Sequence, residues 1–422
     1  MMTTTNTTET SQPENTVRAL FRQHDYMRLW LFRFCAVVGT MMQSVAMGWQ
    51  IYDIARRTHN VEQSSLYVGL IGLCAFVPLF LLALPAGEAA DRHERRRILI
   101  WCMLGEVISV SILFAGAFFH ATSIGLLLGV SFIFGTSRAY QGPSSTALAP
   151  MLVPRLLLPR AIAWNSLAWQ TGAVVGPAIG GALVAISPWV AYAGSLALYI
   201  IAAIAMFRIK ADTKPEAKPG SRIELVKEGL NYVWANKIVF GSISLDLVAV
   251  LLGGVTALLP VFSKDVLHVG AEGFGVLRAA PAIGAASFAV LLAAYPIKRH
   301  SGAIIFVAVG IFGASTLVFG LSRNFYLSMA ALIVQGAADM LSVFVRQTLV
   351  QLVTPDPMRG RTAAVSSLFI SASNEFGEFT GGVFARLLNP VNAAIFGGAA
   401  SMAVTALWAK LFPALRKADK LE

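Results

Sequence analysis

The sequence predicts an all-α integral membrane fold of twelve transmembrane helices. Three observations carry it: the scarcity of charge, a series of apolar runs of spanning length, and the sorting of basic residues into alternate loops. Of 422 residues, 56% are hydrophobic and 13% are charged, whereas a soluble globular chain carries about 25% charged residues. No water-soluble core hides that much apolar surface, so lipid must solvate most of the chain. A helix needs about 20 apolar residues to cross a hydrocarbon layer about 30 Å thick.

Apolar runs of that length lie near 27–51, 66–86, 97–119, 122–142, 161–186 and 188–207. After a polar stretch, six more lie near 238–262, 272–296, 301–321, 325–346, 362–386 and 391–411. This divides the chain into a tail (1–26), a six-helix half (27–207), a linker (208–237), a second six-helix half (238–411) and a closing tail (412–422). The tail from Met1 to Thr16 is rich in Thr, Asn and Glu. It lacks the basic n-region and apolar core of a cleavable signal peptide, and reads as a disordered cytoplasmic tail. In the linker, Lys214, Pro215, Lys218, Pro219 and Gly220 break regular structure. From Ser221 to Trp234, Ile223, Val226, Leu230 and Val233 recur at helical spacing, predicting an amphipathic helix on the membrane surface.

Twelve alternating spans divide the loops into two sets. The set that includes both tails and the linker holds 24 of the 33 Lys and Arg residues. The other set holds five, Arg56, Arg57, Lys264, Arg323 and Arg386, and four lie inside spans, Arg33, Arg138, Arg278 and Arg346. Basic loops stay in the cytoplasm, so both termini are expected there, in the inner membrane of a bacterium. The same sorting explains the net charge of +11 without nucleic acid as a partner. Three cysteines, Cys35, Cys74 and Cys102, fall inside apolar runs and read as packing residues, too few and too dispersed for a disulfide framework or a metal site. The six histidines fall in tails or loops, without an H-E-x-x-H pair. No metal, no cofactor and no enzymatic activity is expected.

A shift of 201 residues aligns the fourth and fifth spans with the tenth and eleventh without gaps. Gly135 falls on Gly336, Arg160 on Arg361, Ser166-Leu167 on Ser367-Leu368, and Gly176, Gly180 and Gly181 on Gly377, Gly381 and Gly382. Chance matches between apolar helices favour Leu, Ala and Val; glycines and a loop arginine in one register indicate an internal repeat. Two parallel six-helix repeats joined by a basic linker describe a transporter of the major facilitator type, with its substrate site between the halves near the midplane.

Three motifs sharpen that resemblance. Gly87, Asp91, Arg92, Arg95 and Arg96 after the second span match the major facilitator loop pattern G-x-x-x-D-R-x-x-R-R, a cytoplasmic gate. A glycine there permits close helix approach, and a carboxylate can cap a helix N-terminus. The alternative is a basic loop that only fixes topology. The second-half counterpart, Tyr295 to His300, has no acid. In the fifth span Gly172, Gly176, Pro177, Gly180 and Gly181 match the antiporter pattern G-x-x-x-G-P-x-x-G-G; small residues four apart permit close packing, which is also the alternative reading. Arg138-Ala139-Tyr140-Gln141-Gly142 resembles the R-x-x-Q-G pattern of proton-coupled members, although an arginine near a helix end can also snorkel. With Phe21-Arg22 to Arg33 and Thr354 to Arg361, these patterns resemble the enterobactin-exporter branch, which includes drug–proton antiporters and siderophore exporters.

The resemblance implies a proton-coupled exporter of a small amphipathic molecule, siderophore or drug-like, working as a monomer by alternating access. An importer or lysophospholipid flippase on the same fold, and a non-transporting receptor or scaffold, are the alternatives. Arginine keeps its proton throughout a cycle, so a proton carrier must be a carboxylate. Asp339, Glu375 and Glu378 are the first candidates, then Asp246 and Glu106, with Arg138 beside them. Ser371, Asn374, Glu375 and Glu378 share one helix face by spacing, as do Asp339, Ser342 and Arg346. The alternative for Asp339 is a structural salt bridge to Arg138 or Arg346.

Overall fold

A computed structural model describes residues 17–211, 213–214, 222–295, 297 and 299–418. The tail from Met1 to Thr16 and the linker's Pro/Gly-rich stretch lie outside the described residues, as do the side chains of Ile223, Val226 and Ser371.

The first half is built from α1 (His24–Ala55), α2 (Val61–Leu81), α3 (Arg95–Phe118), α4 (Ile124–Leu148), α5 (Leu158–Ile186) and α6 (Pro188–Phe207). The second comprises α7 (Lys237–Gly253), α8 (Gly270–Ala294), α9 (Ser301–Leu321), α10 (Phe325–Val353), α11 (Asp356–Leu388) and α12 (Pro390–Leu411). The chain punctuates these helices with caps. Asn60, Ser123, Asn236, Asn324 and Asn389 each accept a hydrogen bond from a backbone N–H in the first turn they precede. Pro188 and Pro390 open α6 and α12, where a missing N–H costs nothing.

Among the described residues ten spans are long and apolar enough to cross a membrane by composition alone, the seventh when followed from Lys237 through Val266. The two that fall short, α4 and α11, carry Arg138 with Gln141 and Glu375 with Glu378. These two helices supply the ion pair that joins the halves inside the protein.

The helices depart from the expected runs in three places. The second span is Val61–Leu81, earlier than 66–86, and a separate helix, Ala83–Arg92, follows it. Pro85 explains the break, because it has no N–H to donate back to the carbonyl of Leu81. The gate motif is thus helix rather than loop up to Arg92, and Arg95 to Arg97 form the first turn of α3. The seventh span is interrupted: α7 stops at Gly253, Gly254 is extended, and the chain continues through short turns into a π-helical segment, Phe262–Val266. The linker helix, Arg222–Ala235, is not a lipid-surface helix along its whole apolar face. Val233 and Leu230 pack with Val239, Ile243, Val350 and Val365, and the Tyr232 hydroxyl donates to the Val353 carbonyl at 3.0 Å.

The repeat is visible in the packing. A Cβ added to Gly135 would strike the backbone of Ala75 on α2, and one added to Gly336 would strike the backbone of Pro281 on α8. Gly181 of α5 lies backbone to backbone against Gly275 of α8, and Gly382 of α11 against Gly69 of α2. These last two contacts join the halves. Small residues are needed there because lipid supplies no hydrophobic drive between helices, so close van der Waals approach must.

The ends of the two halves define the faces. Arg28 and Arg96 donate to the carbonyls of Arg208 and Phe207, both at 2.7 Å, bringing the starts of α1 and α3 to the end of α6. Gly302 at the start of α9 bonds to Ala418. Both described chain ends therefore lie on one face. The contacts that join the two bundles run from the midplane to the opposite face. Toward the terminus-bearing face, Leu167 and Trp169 on α5 are about half exposed, at 51% and 52%, and nothing approaches Gly142 on α4. The interhalf contacts described above thus lie at the midplane and toward the face away from the termini, while the cavity-lining Trp169 is left half exposed.

Candidate functional site

A cavity of about 520 Å³ lies between the halves. Its walls come from helices whose polar residues recur at helical spacing: Thr40, Gln43 and Ser44 on α1, Gln335 and Asp339 on α10, and Asn374, Glu375 and Glu378 on α11. Arg138 of α4 and Arg278 of α8 project into it, with Phe134, Trp169 and Phe312 among the apolar lining.

Two ion pairs organise this space. Arg138 pairs with Glu375 across the halves, with its guanidinium also 5.6 Å from the Phe134 ring centroid. Arg278 pairs with Glu378 at 3.1 Å and approaches the Ser44 hydroxyl of the first half at 3.5 Å. The spacing i, i+3 on α11 lets neighbouring carboxylates meet arginines from different helices. Charges in a membrane interior are costly, and such groups face a cavity or one another. Here they do both.

Asp339 lines the cavity and makes no ion pair among the described residues. The expected alternative, a salt bridge from Asp339 to Arg138 or Arg346, is replaced by different partners. Arg138 belongs to Glu375, and Arg346 pairs with Asp246 at 2.8 Å, with side chains 1% and 7% exposed. The reason is geometric: Arg346 lies two turns along α10 from Asp339, against α7, where Asp246 awaits it. Asp246 is thus buried against Arg346 and is not among the residues that line the cavity.

Glu106 lies on α3, fully buried, and neither of its oxygens has a hydrogen-bond partner among the described residues. It is an electrostatic neighbour of Arg138, Cys102 and Tyr199. The Tyr199 hydroxyl donates to Gln43 Oε1 at 3.1 Å and lies 3.2 Å from the Thr40 hydroxyl, both on the cavity wall. Gln43, Tyr199 and Trp169 carry no local sequence pattern that would have singled them out. Arg278 did carry a signal, as an arginine inside a span, and the structure adds it to the site. Of the cysteines, Cys35 and Cys102 are buried and Cys74 is half-buried, all free thiols.

The motifs resolve into contacts. Arg95 donates to the Ala90 carbonyl at 3.1 Å and the Ala147 carbonyl at 2.9 Å, tying the Ala83–Arg92 helix to the end of α4. Arg92 pairs with Glu88 at 2.8 Å, Gly87 is buried within the same helix, and Asp91 stands exposed at its end. On α5, Gly172 faces Val37, Gly176 faces Met41, and Gly180 faces the Met42 backbone, so this stripe seats α5 on α1. Pro177 presents its carbonyl to Gly275, and Gly181 completes the contact with α8. One motif therefore serves both the packing of the half and the seam between halves. Of the second-half counterpart from Tyr295 to His300, positions 296 and 298 lie outside the described residues.

The family model for transmembrane secretion effectors matches residues 15–422. The chain belongs to that family of major facilitator transporters. It is 26% identical over 407 residues to the enterobactin exporter EntS of Citrobacter koseri, covering 94% of each chain. To the enterobactin exporter EntS of Escherichia coli O1:K1 it is 26% identical over 388 residues, covering 90% of each. Solved structures share the fold at lower identity. The nucleoside transporter NupG superposes with a TM-score of 0.67 at 16% identity, covering 92% of this chain and 99% of that one. A bacterial homolog of the human lysosomal transporter Spinster, in an inward-facing and unoccupied conformation, superposes with a TM-score of 0.66 at 16% identity, covering 94% of this chain and 96% of that one. This transporter is thus a multi-pass membrane protein acting on small molecules, not an enzyme.

Proposed function

We propose that this transporter is a proton-coupled exporter of a small amphipathic molecule, siderophore or drug-like, in the bacterial inner membrane, with both termini cytoplasmic. The observation that carries the reading is the ion pair between Arg138 and Glu375, which joins the two halves inside the cavity and has Asp339 and the Arg278–Glu378 pair around it. A pair that spans the moving interface cannot keep one geometry while the halves rock. Its carboxylate is therefore exposed to a change of partner in each cycle, which is what coupling to a proton requires. The lining mixes apolar surface, aromatic rings and hydrogen-bonding amides, which suits an amphipathic solute. The relatives' role as exporters of enterobactin supports both the direction and a siderophore class.

Within this reading, Asp339 and Glu375 carry the proton first, with Glu378 as the neighbour whose charge is held by Arg278. Glu106 and Asp246 stand behind them. The loop motif Gly87, Asp91, Arg92, Arg95 and Arg96 closes the cytoplasmic side, and the antiporter motif on α5 forms the hinge seam. The test is accumulation by inverted membrane vesicles energised with an acid interior, using enterobactin in one arm and a cationic dye in the other. Uptake of either one, abolished by collapsing the pH gradient, supports the reading. Uptake that survives collapse of the gradient contradicts the coupling, and no uptake of either solute contradicts the substrate class.

A further inference from the structure

On the face away from the termini, the two halves are joined by a cluster of charges that none of the sequence motifs includes. Asp53, near the end of α1, pairs with Lys264 from the second half and with its own neighbour Arg57 at 3.2 Å. The Tyr52 hydroxyl donates to Asp265, and Arg56 lies 3.6 Å from the other Asp265 oxygen. Adjacent residues of one helix thus hold adjacent residues of the other half, with charges alternating in sign on both sides. Lys264 and Asp265 sit in the π-helical segment Phe262–Val266, a local departure from α-geometry that turns both side chains toward α1.

Below this cluster lies an aromatic layer. The Lys264 ammonium is 5.7 Å from the Trp49 ring centroid, and Trp49 stacks on Phe274 of α8 with centroids 5.9 Å apart. Phe274 also lies against Gly48 of α1, 3.7 Å from where a Cβ would stand. The cavity residues Met47 and Ser44 lie two and five residues before Trp49 on the same helix, about half a turn and one and a half turns further in. The layer separates the cavity from this face, and the ion pairs hold the layer shut.

We infer that Asp53, Lys264 and Asp265, with Tyr52 and Arg56, form the latch that keeps this face closed while the cavity is open toward the termini. The latch must break for solute to leave on this side. It rests on alternating access and not on the identity of solute or coupling ion, so it can fail without the proposed function failing. The ionic side chains of the two interhalf pairs are between 26% and 37% exposed. Water and salt reach them, so each pair shifts the equilibrium between the two states by a factor of roughly 1.5 to 5, and salt screens them within a few ångströms at 1 M. A latch of this strength opens within a transport cycle, which a dry, fully buried pair would oppose.

The test uses the full chain in proteoliposomes, with the three cysteines replaced and a single reporter, Ile71→Cys, on the cavity wall. A membrane-impermeant maleimide added on the latch side reads how often this face opens, and the same reagent on the terminus side reads the converse. Asp53→Asn and Lys264→Gln are expected to raise latch-side labelling severalfold and to lower terminus-side labelling. The double exchange Asp53→Lys with Lys264→Asp is expected to restore both toward the parent rates. In the reporter protein with its latch residues unchanged, 1 M NaCl on the latch side alone should raise labelling from that side severalfold. This last arm needs no substitution in the latch itself. Salt-independent labelling in it overturns the inference, as does a double exchange that behaves no better than either single change.

Discussion

Arg138 on α4 and Glu375 on α11 form an ion pair that crosses from one half of the transporter to the other within the central cavity. By the repeat, position 138 of the first half corresponds to position 339 of the second, which holds Asp339. The two equivalent sites therefore carry opposite charges, and both face the same space. The cavity is chemically asymmetric even though its frame is repeated.

The first prediction separates coupling from packing at this pair. Glu375→Gln is expected to abolish pH-driven accumulation in proteoliposomes while leaving downhill solute exchange within about twofold of the parent. Arg138→Gln should impair both, because it leaves a carboxylate without its partner in a confined site. Full pH-driven accumulation by Glu375→Gln would remove this residue from the coupling path.

Asp339 gives a second, independent prediction. It lines the cavity without an ion pair, so Asp339→Asn should leave expression and thermal stability near those of the parent while reducing uphill transport by about tenfold or more. A large fall in stability together with normal uphill transport in the surviving protein would mark Asp339 as structural.

Asp246 and Arg346 should behave in the opposite way. Both are buried, and removing one partner strands the other charge, at a cost of about 3–5 kcal/mol. Asp246→Asn and Arg346→Met are each expected to lower the melting temperature in detergent markedly. The double variant Asp246→Asn with Arg346→Met should recover much of that loss. A double variant as unstable as the sum of the singles would mean that the pair is not the relevant interaction.

Orientation is a fourth prediction, from the distribution of basic residues. In the cysteine-free protein in cells, Thr58→Cys should react with an impermeant reagent from the periplasm and Lys227→Cys should not. The reverse pattern would invert the topology and with it the proposed direction of export.

Much of the frame was legible in the sequence because lipid leaves the chain few options: spanning runs must be helical and their number follows from hydropathy and loop charge. The register of the repeat was legible too, since Gly135 and Gly336, and Gly181 and Gly382, mark positions where backbones touch. What spacing did not reveal was pairing. Asp339 and Arg346 lie on one helix, yet Arg346 turns to Asp246 on another, and no local pattern encodes which helix comes alongside. The interruption of α7 was hidden for a similar reason: an apolar run through Gly253 and Gly254 reads as one helix until the packing of Phe312 and Ser401 against Gly253 is known. The charges joining the halves at Asp53 and Lys264 looked like ordinary loop-end residues, because their meaning lies in a contact 211 positions apart in the chain.

In the proposed mechanism, transport through this cavity is obligatorily linked to a proton carried on a cavity carboxylate. The most direct test is the proton movement triggered by adding solute to the purified protein in lightly buffered proteoliposomes, measured with a trapped pH indicator. Proton coupling requires proton flux opposite in direction to solute flux in the parent protein, and solute exchange without proton flux in Glu375→Gln or Asp339→Asn. Solute transport by the parent with no accompanying proton flux would contradict it.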